Sequence, residues 1–267
     1  MQYNRVLTIA GSDSGGGAGI QADIKTISTC GCYAMSAITA VTVQNTVGVN
    51  DVHPIPVDII EGQINAVLSD IGADAVKIGM LHSSAVIMAV KKSLNHYKIK
   101  NTVLDPVMVS TSGHKLMQDE AIETLKNELL YDVRVITPNI PEAEILIGRK
   151  INSHELLTIA KELSANRKVS VLLKAGHLQE NELIDVFYNA ETDQILELKS
   201  TRIDTRNTHG TGCTLSSAIA AFLAQDLSLN EAIQMAKEYI NAAITMGASY
   251  NIGQGHGPVH HFYKFWK

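Results

Sequence analysis

Charge is scarce in this chain. Asp, Glu, Lys and Arg together make up 18% of its 267 residues, and the formal net charge is −5. No cluster of Lys and Arg occurs, so the electrostatic footprint of a nucleic-acid binder is missing. No apolar stretch reaches the ~18 residues that suggest a membrane span. Met1-Gln2-Tyr3-Asn4-Arg5 leads straight into a strand-like run, and no signal peptide is expected. The three cysteines, 30, 32 and 213, cannot form a complete disulfide set. They also lack paired CxxC zinc spacing, so a reducing cytoplasm is the expected compartment. Cys30-Gly31-Cys32 reads most simply as two small buried residues at a helix end. The Walker pattern G-x-x-x-x-G-K-[ST] is absent, as are repeats, low-complexity tracts and linkers.

What is present is apolar and patterned. Apolar residues make up 45% of the chain, enough for one large core, and residues 1–267 are read as a single domain. Short apolar runs alternate with helical patterns. Strands are expected at Val6–Ala10, Ala37–Val43, Ala75–Ile78, Thr102–Leu104, Val133–Ile136, Val169–Leu173, Ile184–Tyr188 and Gln194–Leu198. Helices are expected at Gly19–Thr29, Pro56–Ile71, Ser84–Tyr97, Asp119–Leu130, Pro141–Ile147, Ser153–Ala165, Gly212–Ala224 and Asn230–Ser249. Such alternation specifies an α/β fold with a mainly parallel sheet. The stretch from Ile184 to Leu198 looks like a hairpin and suggests antiparallel edge strands.

The strand ends carry the chemistry, because ligands of open α/β sheets lie beyond the carboxyl ends. Val76-Lys77-Ile78 ends in Gly79-Met80. Val103-Leu104 ends in Asp105-Pro106-Val107. Val135-Ile136 ends in Thr137-Pro138-Asn139, followed by Glu142. Leu172-Leu173 ends in Lys174-Ala175-Gly176-His177. An aspartate, an asparagine, a glutamate and a lysine at one sheet edge suit a metal–polyphosphate: oxygen ligands for Mg²⁺ and an ammonium for phosphate charge. Taken singly, Asp105 reads equally as a turn residue and Lys174 as a solvated strand end.

The run Asn207-Thr208-His209-Gly210-Thr211-Gly212-Cys213-Thr214 adds an anion hole. Gly210 and Gly212 let backbone amides approach an anion, and the helix that follows aims its positive end at the same spot. Cys213 falls in the first turn, where a thiolate is favoured. A second glycine loop spans residues 11–19. Its Gly17-Ala18-Gly19-Ile20-Gln21-Ala22 matches the dinucleotide fingerprint, but Gln44-Asn45 stand where that motif needs an acid. Gln44 offers a donor and an acceptor together, which suits a ring nitrogen beside an exocyclic amine. It reads otherwise as a strand-end amide bonded to backbone. Met80 and Val107, just past strand ends, would offer apolar faces to a ring.

These stretches, with Ser14-Gly15-Gly16-Gly17-Ala18-Gly19-Ile20-Gln21-Ala22-Asp23, Thr42-Val43-Gln44-Asn45-Thr46 and Lys77-Ile78-Gly79-Met80-Leu81, resemble the ribokinase-like superfamily over nearly the whole chain. Within it they resemble the hydroxymethylpyrimidine/phosphomethylpyrimidine kinases of thiamine biosynthesis, whose relatives include pyridoxal kinases. The resemblance implies a three-layer α/β/α fold, ATP, Mg²⁺, a small pyrimidine substrate and a homodimer. It implies catalytic roles for Gly210, Gly212 and Cys213. It assigns Gly11, Asp23, Gln44, Met80 and Val107 to the pyrimidine. It assigns Asn139, Lys174, Thr208, His209 and Thr211 to ATP, and Asp105 and Glu142 to the metal. Cys213 stands where many superfamily members carry a catalytic aspartate, and acts either as the base or as a steric cap. Asp23 reads alternatively as an exposed helix charge. Lys174-Ala175-Gly176-His177 departs from the branch's Lys-Gly-Gly-His by one methyl. Three rival functions remain open: a nicotinamide oxidoreductase using the 11–22 loop, a non-catalytic binding protein, and a pyridoxal kinase.

Overall fold

Five strands carry the first half of the chain in a computed structural model that describes residues 2–108, 116–176 and 182–266. They are β1 (Arg5–Asp13), β2 (Tyr33–Gln44), β3 (Val49–Pro54), β4 (Ala75–Ile78) and β5 (Thr102–Leu104). The second half adds β6 (Val135–Ile136), β7 (Ser170–Leu173), β8 (Glu182–Asn189) and β9 (Gln194–Thr201). All nine described strands join one sheet in the order β3-β2-β1-β4-β5-β6-β7-β8-β9. From β2 to β7 every neighbour is parallel; β3 pairs antiparallel at one edge, and β8 and β9 at the other. The hairpin expected around residues 184–198 is the β8–β9 edge. The chain leaves β1 in one direction to reach β2, then crosses back to β4 on the other side. That reversal is a topological switch point, where α/β folds bind ligands.

The helices are α1 (Gly19–Thr29), α2 (Val57–Asp70), α3 (Ser84–Tyr97), α4 (Asp119–Thr124, continued by a π-turn over Leu125–Leu129), α5 (Ile140–Ile147), α6 (Leu156–Leu163), α7 (Thr211–Ala224) and α8 (Leu229–Gly247). They form the two outer layers. Leu7 and Ile9 of β1, Val76 and Ile78 of β4, and Leu104 of β5 pack against α2 to α6. The alternate residues Val6, Ala75 and Val103 face α1, α7 and α8. Period-2 alternation on strands buried on both faces produces the three layers. Each fully buried Val, Leu or Ile contributes roughly 1.5–3 kcal/mol.

β3 is absent from the strands expected from sequence. Val49-Asn50-Asp51-Val52-His53-Pro54 is mostly exposed and ends in proline, so it carries no buried pattern and exists by pairing with β2. Local signals explain α5 well. Asn139 caps it and Glu142 completes a capping box, with proline in the first turn and Gly148 at the left-handed C-cap. Cys32 is buried and Cys30 half-buried, just past the end of α1, close to the expected placement. Among the described residues no helix is long and apolar enough to cross a membrane.

Candidate active site

The carboxyl ends of β1, β4, β5, β6 and β7 open onto one edge of the sheet, and the N-terminus of α7 meets them there. Asp105, at the end of β5, is 2% exposed. Its Oδ1 accepts from the Thr137 hydroxyl at 2.9 Å and from Lys174 Nζ at 2.8 Å. Burial works to raise the Asp105 pKa, but Lys174 and Lys77 overcome it and hold the carboxyl below its ordinary range. Lys174 is raised in turn: Asp105 and Glu142 outweigh the cost of burial. So Lys174 is not a solvated strand end, and Asp105 is more than a turn residue.

Glu142 sits beside this pair and does two things. Its Oε2 accepts from the Asn139 amide at 2.8 Å, while Asn139 Oδ1 accepts from the Glu142 amide at 2.9 Å. Burial pushes the Glu142 carboxyl up to about 7, and Asp105 adds to the rise against Lys174 and the Asn139 and Met108 amides. Asn139 also bridges in parallel to Lys174, whose amide donates to the Pro138 carbonyl at 2.9 Å. Asn139, Glu142, Lys174 and Asp105 therefore form one connected group.

Gly212 closes the group from above. A Cβ on Gly212 would lie 3.3 Å from both Asp105 Oδ2 and Lys174 Nζ. The α7 amides thus sit on the acid–base pair with no side chain between. Gly210, the N-cap of α7, has φ +78, and a Cβ there would collide with the Gly17 carbonyl. This contact joins the 207–214 loop to the N-terminal glycine loop.

Cys213 lies where the starts of α1 and α7 meet. Burial pushes its thiol up to about 11; Lys77 and a hydrogen bond from the Gly19 amide oppose the rise, while Asp23 and Asp105 add to it. The helix end was expected to favour the thiolate. Desolvation beside two carboxylates outweighs it.

Gly11 and Met80 lie close together, since a Cβ on Gly11 would come within 2.6 Å of the Met80 methyl. Gln44 is half-buried at the end of β2, and its amide bonds to side chains: Thr42 Oγ1 at 3.1 Å and His209 Nε2 at 3.3 Å. The reading of Gln44 as an amide spent on backbone is thereby corrected. Val107 lies two residues past Asp105, its amide donating to the Asp105 carbonyl at 2.8 Å.

A model of the phosphomethylpyrimidine kinase family matches residues 13–260. The chain belongs to that family. The hydroxymethylpyrimidine/phosphomethylpyrimidine kinase of Rhizobium meliloti is 48% identical to it over 98% of each chain. The Escherichia coli counterpart is 42% identical over the full length of both. The solved phosphomethylpyrimidine kinase of Clostridium difficile superposes with TM-score 0.79 at 43% identity, covering 90% of this chain and 99% of that one. An ADP complex of a Bacillus subtilis pyridoxal kinase superposes with TM-score 0.88 at 37% identity, covering 98% and 99%. The architecture is ribokinase-like, and the chain is a kinase.

Four expected site residues of this kinase make contacts within the fold. Asp23 is fully buried on α1 and not exposed. Its two oxygens are spent on Lys77 (2.9 Å each), Thr8 (2.6 Å) and Ser217 (2.8 Å). A carboxylate so satisfied stabilises the fold beneath the site and has no acceptor left for a substrate. The His209 ring turns toward Asp13, 2.9 Å away, and Gln44. Thr208 is exposed and accepts through its carbonyl from the Thr211 hydroxyl at 2.7 Å; both serve the turn into α7. His177 lies outside the described residues.

Sequence reasoning missed Asp13 and Lys77. Asp13 accepts from the amides of Gly15 (2.8 Å), Gly17 (3.0 Å) and Ala18 (2.8 Å), which holds the glycine loop in shape. Burial works against its charge, yet His209 and those amides bring its pKa below the ordinary value. Those amides point at Asp13, so they are taken from the dinucleotide role the fingerprint would give them. The signal was an aspartate two residues ahead of a glycine run, a common Asx-turn former. For Lys77 it was a lysine inside a continuous apolar strand, which demands a buried partner.

Proposed function

We propose that this kinase transfers the γ-phosphoryl group of ATP to 4-amino-5-hydroxymethyl-2-methylpyrimidine and then to its monophosphate, within thiamine biosynthesis. Residues 1–267 act as one domain in this reading. The observation that carries it is the Asp105–Lys174–Gly212 contact beside Cys213, with the Gln44 amide held against His209 of the same loop.

Phosphoryl transfer asks the protein mainly for positioning and charge. The amides from Gly210 to Cys213 hold the transferring group. Lys174, paired to Asp105 in the resting protein, has the charge to follow a β- or γ-phosphate. Asn139 contacts the phosphate chain at the start of α5. Gly11, Met80 and Val107 enclose the ring, and Gln44 reads its edge. Cys213 stands at the hydroxymethyl oxygen and accepts its proton. With the thiol pushed up to about 11, the thiolate is scarce at neutral pH. Proton transfer must then accompany attack on phosphorus.

The donor set fits Mg²⁺. Magnesium takes one or two carboxylates and completes its shell with water and phosphate. Asp105 offers Oδ2, which accepts no hydrogen bond from any described residue, and Glu142 titrates near neutrality. When bound, the ion would neutralise charge on the polyphosphate.

The chain acts in the cytoplasm in this reading, as a homodimer. Val41, Val43 and Val47 remain exposed along and just past β2, an apolar strip that supports pairing there. Sedimentation at micromolar concentration checks the dimer.

The pyridoxal kinase reading is kept because structures of such enzymes superpose with TM-scores of 0.88 and 0.89. One experiment decides between them. Purified protein with Mg-ATP is offered the hydroxymethylpyrimidine, its monophosphate and pyridoxal in parallel, with products identified by mass. Mono- and diphosphate should appear in sequence from the pyrimidine. Formation of pyridoxal phosphate alone, at any pyrimidine concentration, sinks the main reading.

A further inference from the structure

Hydrogen counting around Gln44 leaves a conflict. Thr42 Oγ1 has one hydrogen, yet it lies 2.9 Å from the Ser12 carbonyl and 3.1 Å from Gln44 Oε1, both acceptors. His209 Nε2 lies 2.9 Å from Asp13 Oδ2, an acceptor, and 3.3 Å from Gln44 Nε2, a donor. One ring nitrogen cannot donate to the first and accept from the second. The two ends of an amide are told apart by the bonds they make. Turning the Gln44 amide over settles Thr42 and leaves His209 Nε2 facing two acceptors that can share its one hydrogen, instead of an acceptor and a donor. Thr42 then donates to Ser12 and accepts from Gln44 Nε2. His209 Nε2–H then donates mainly to Asp13 at 2.9 Å and, as the longer arm of a three-centre bond, to Gln44 Oε1 at 3.3 Å.

We propose that His209, held by Asp13, is a positioning residue that fixes the Gln44 amide with its oxygen toward His209 and its nitrogen toward Thr42. The inference rests on Gln44 reading the substrate ring. Asp13 is itself anchored by three backbone amides, and the Gln44 backbone is locked to Ser14 by reciprocal bonds of 2.7 and 2.9 Å. Neither end of the chain Asp13–His209–Gln44–Thr42 is therefore free to turn. One lone pair on Oε1 and one hydrogen on Nε2 remain for a ligand, in fixed order. That order matches adjacent amine and ring nitrogen: the 4-amino group on the His209 side, N3 on the Thr42 side. A pyridine ring without an adjacent amine cannot use both. The device makes His209 a selector for aminopyrimidines.

The test has a direct arm and a kinetic arm. In ¹⁵N-labelled protein at neutral pH, long-range ¹H–¹⁵N spectra should show His209 Nε2 carrying a hydrogen, assigned by its loss in His209→Gln. A bare Nε2 overturns the proposal, whatever the protein phosphorylates. In the kinetic arm, His209→Leu should lower kcat/KM for the hydroxymethylpyrimidine by about 5- to 50-fold, mainly through KM, and that for pyridoxal by less. KM for ATP should stay within about twofold. His209→Gln, which keeps an N–H near the same place, should recover most of the loss. His209→Leu combined with Gln44→Leu should be no worse than Gln44→Leu alone, since an absent amide cannot be misoriented. Additive losses, or a raised KM for ATP with equal losses on every alcohol, would assign His209 to the phosphate loop instead. A wild type inactive on the pyrimidine would sink the functional reading, while the nitrogen spectrum would still decide the amide.

Discussion

Lys77 Nζ and Asp23 Oδ2 lie 2.9 Å apart, and neither side chain is reached by water. Thr8 of β1 and Ser217 of α7 bond the same carboxylate. The pair ties β4, β1, α1 and α7 together one helical turn from Cys213. Removing one partner of a buried pair leaves an uncompensated charge, at a cost of about 3–5 kcal/mol. Asp23→Asn and Lys77→Met should each shift urea unfolding by that amount. The double variant Asp23→Leu/Lys77→Met should recover part of it. Were Asp23 a substrate contact, its replacement would raise KM at unchanged stability.

Cys213 offers a kinetic and a chemical check. Cys213→Ala should reduce kcat by about 10²-fold or more with both substrates saturating. Turnover within about threefold of wild type, worth only ~0.7 kcal/mol of barrier, would leave the thiol a steric cap. Because burial pushes this thiol up to about 11, iodoacetamide labelling of Cys213 should be slow at neutral pH. It should climb by about tenfold per pH unit into the alkaline range. Peptide mapping separates it from Cys30 and Cys32. Rapid labelling at neutral pH would mean that the helix ends prevail over desolvation.

Two glycines at the start of α7 should fail differently. Gly212→Ala places a methyl 3.3 Å from Asp105 Oδ2 and Lys174 Nζ, in the space proposed for the transferring phosphoryl group. Its kcat should fall by about 10-fold or more, with thermal unfolding near wild type. Gly210→Ala meets the Gly17 carbonyl and a φ of +78, so it should lower stability by about 1 kcal/mol or more. Equal melting points for the two would contradict this division.

His261 should make the fold acid-sensitive. Burial is the main cause that brings its pKa down to about 3, with Lys25, His260 and His209 adding to it. The unfolded chain takes up this proton near pH ~6.5. The native protein refuses it until about 3. The unfolded state therefore binds more protons between those limits, and stability falls as pH drops through them. In His261→Asn, which keeps an acceptor for Thr214, the slope of unfolding free energy between pH ~6 and ~4 should be gentler by up to about 1.4 kcal/mol per pH unit. An unchanged slope would mean that His261 protonates in the native state.

Most elements were legible because their signals are local. Ser84–Tyr97, Ala75–Ile78 and Thr102–Leu104 lie where apolar periodicity puts them, within the residue. β3 was not, because an exposed edge strand has no buried face to write into its sequence. The connected group Asp105, Asn139, Glu142 and Lys174 was legible as polar residues ending successive apolar runs. Parallel strands put all their carboxyl ends on one edge, so that reading needs only the order of elements.

By itself, the sequence determined the alternating α/β architecture, the sheet edge where the polar strand ends gather, and the glycine–cysteine turn that opens α7. Periodicity, strand-end polarity and turn chemistry are properties of neighbours along the chain. Only the tertiary structure decided what each polar group does there. Asp23 looked available until Lys77, 54 residues away, was seen to consume it. His209 looked like part of the phosphate loop until Asp13, 196 residues away, was seen to claim its ring. Hydrogen bonds and desolvation depend on which atoms meet across the fold, and no local pattern in the chain encodes those meetings.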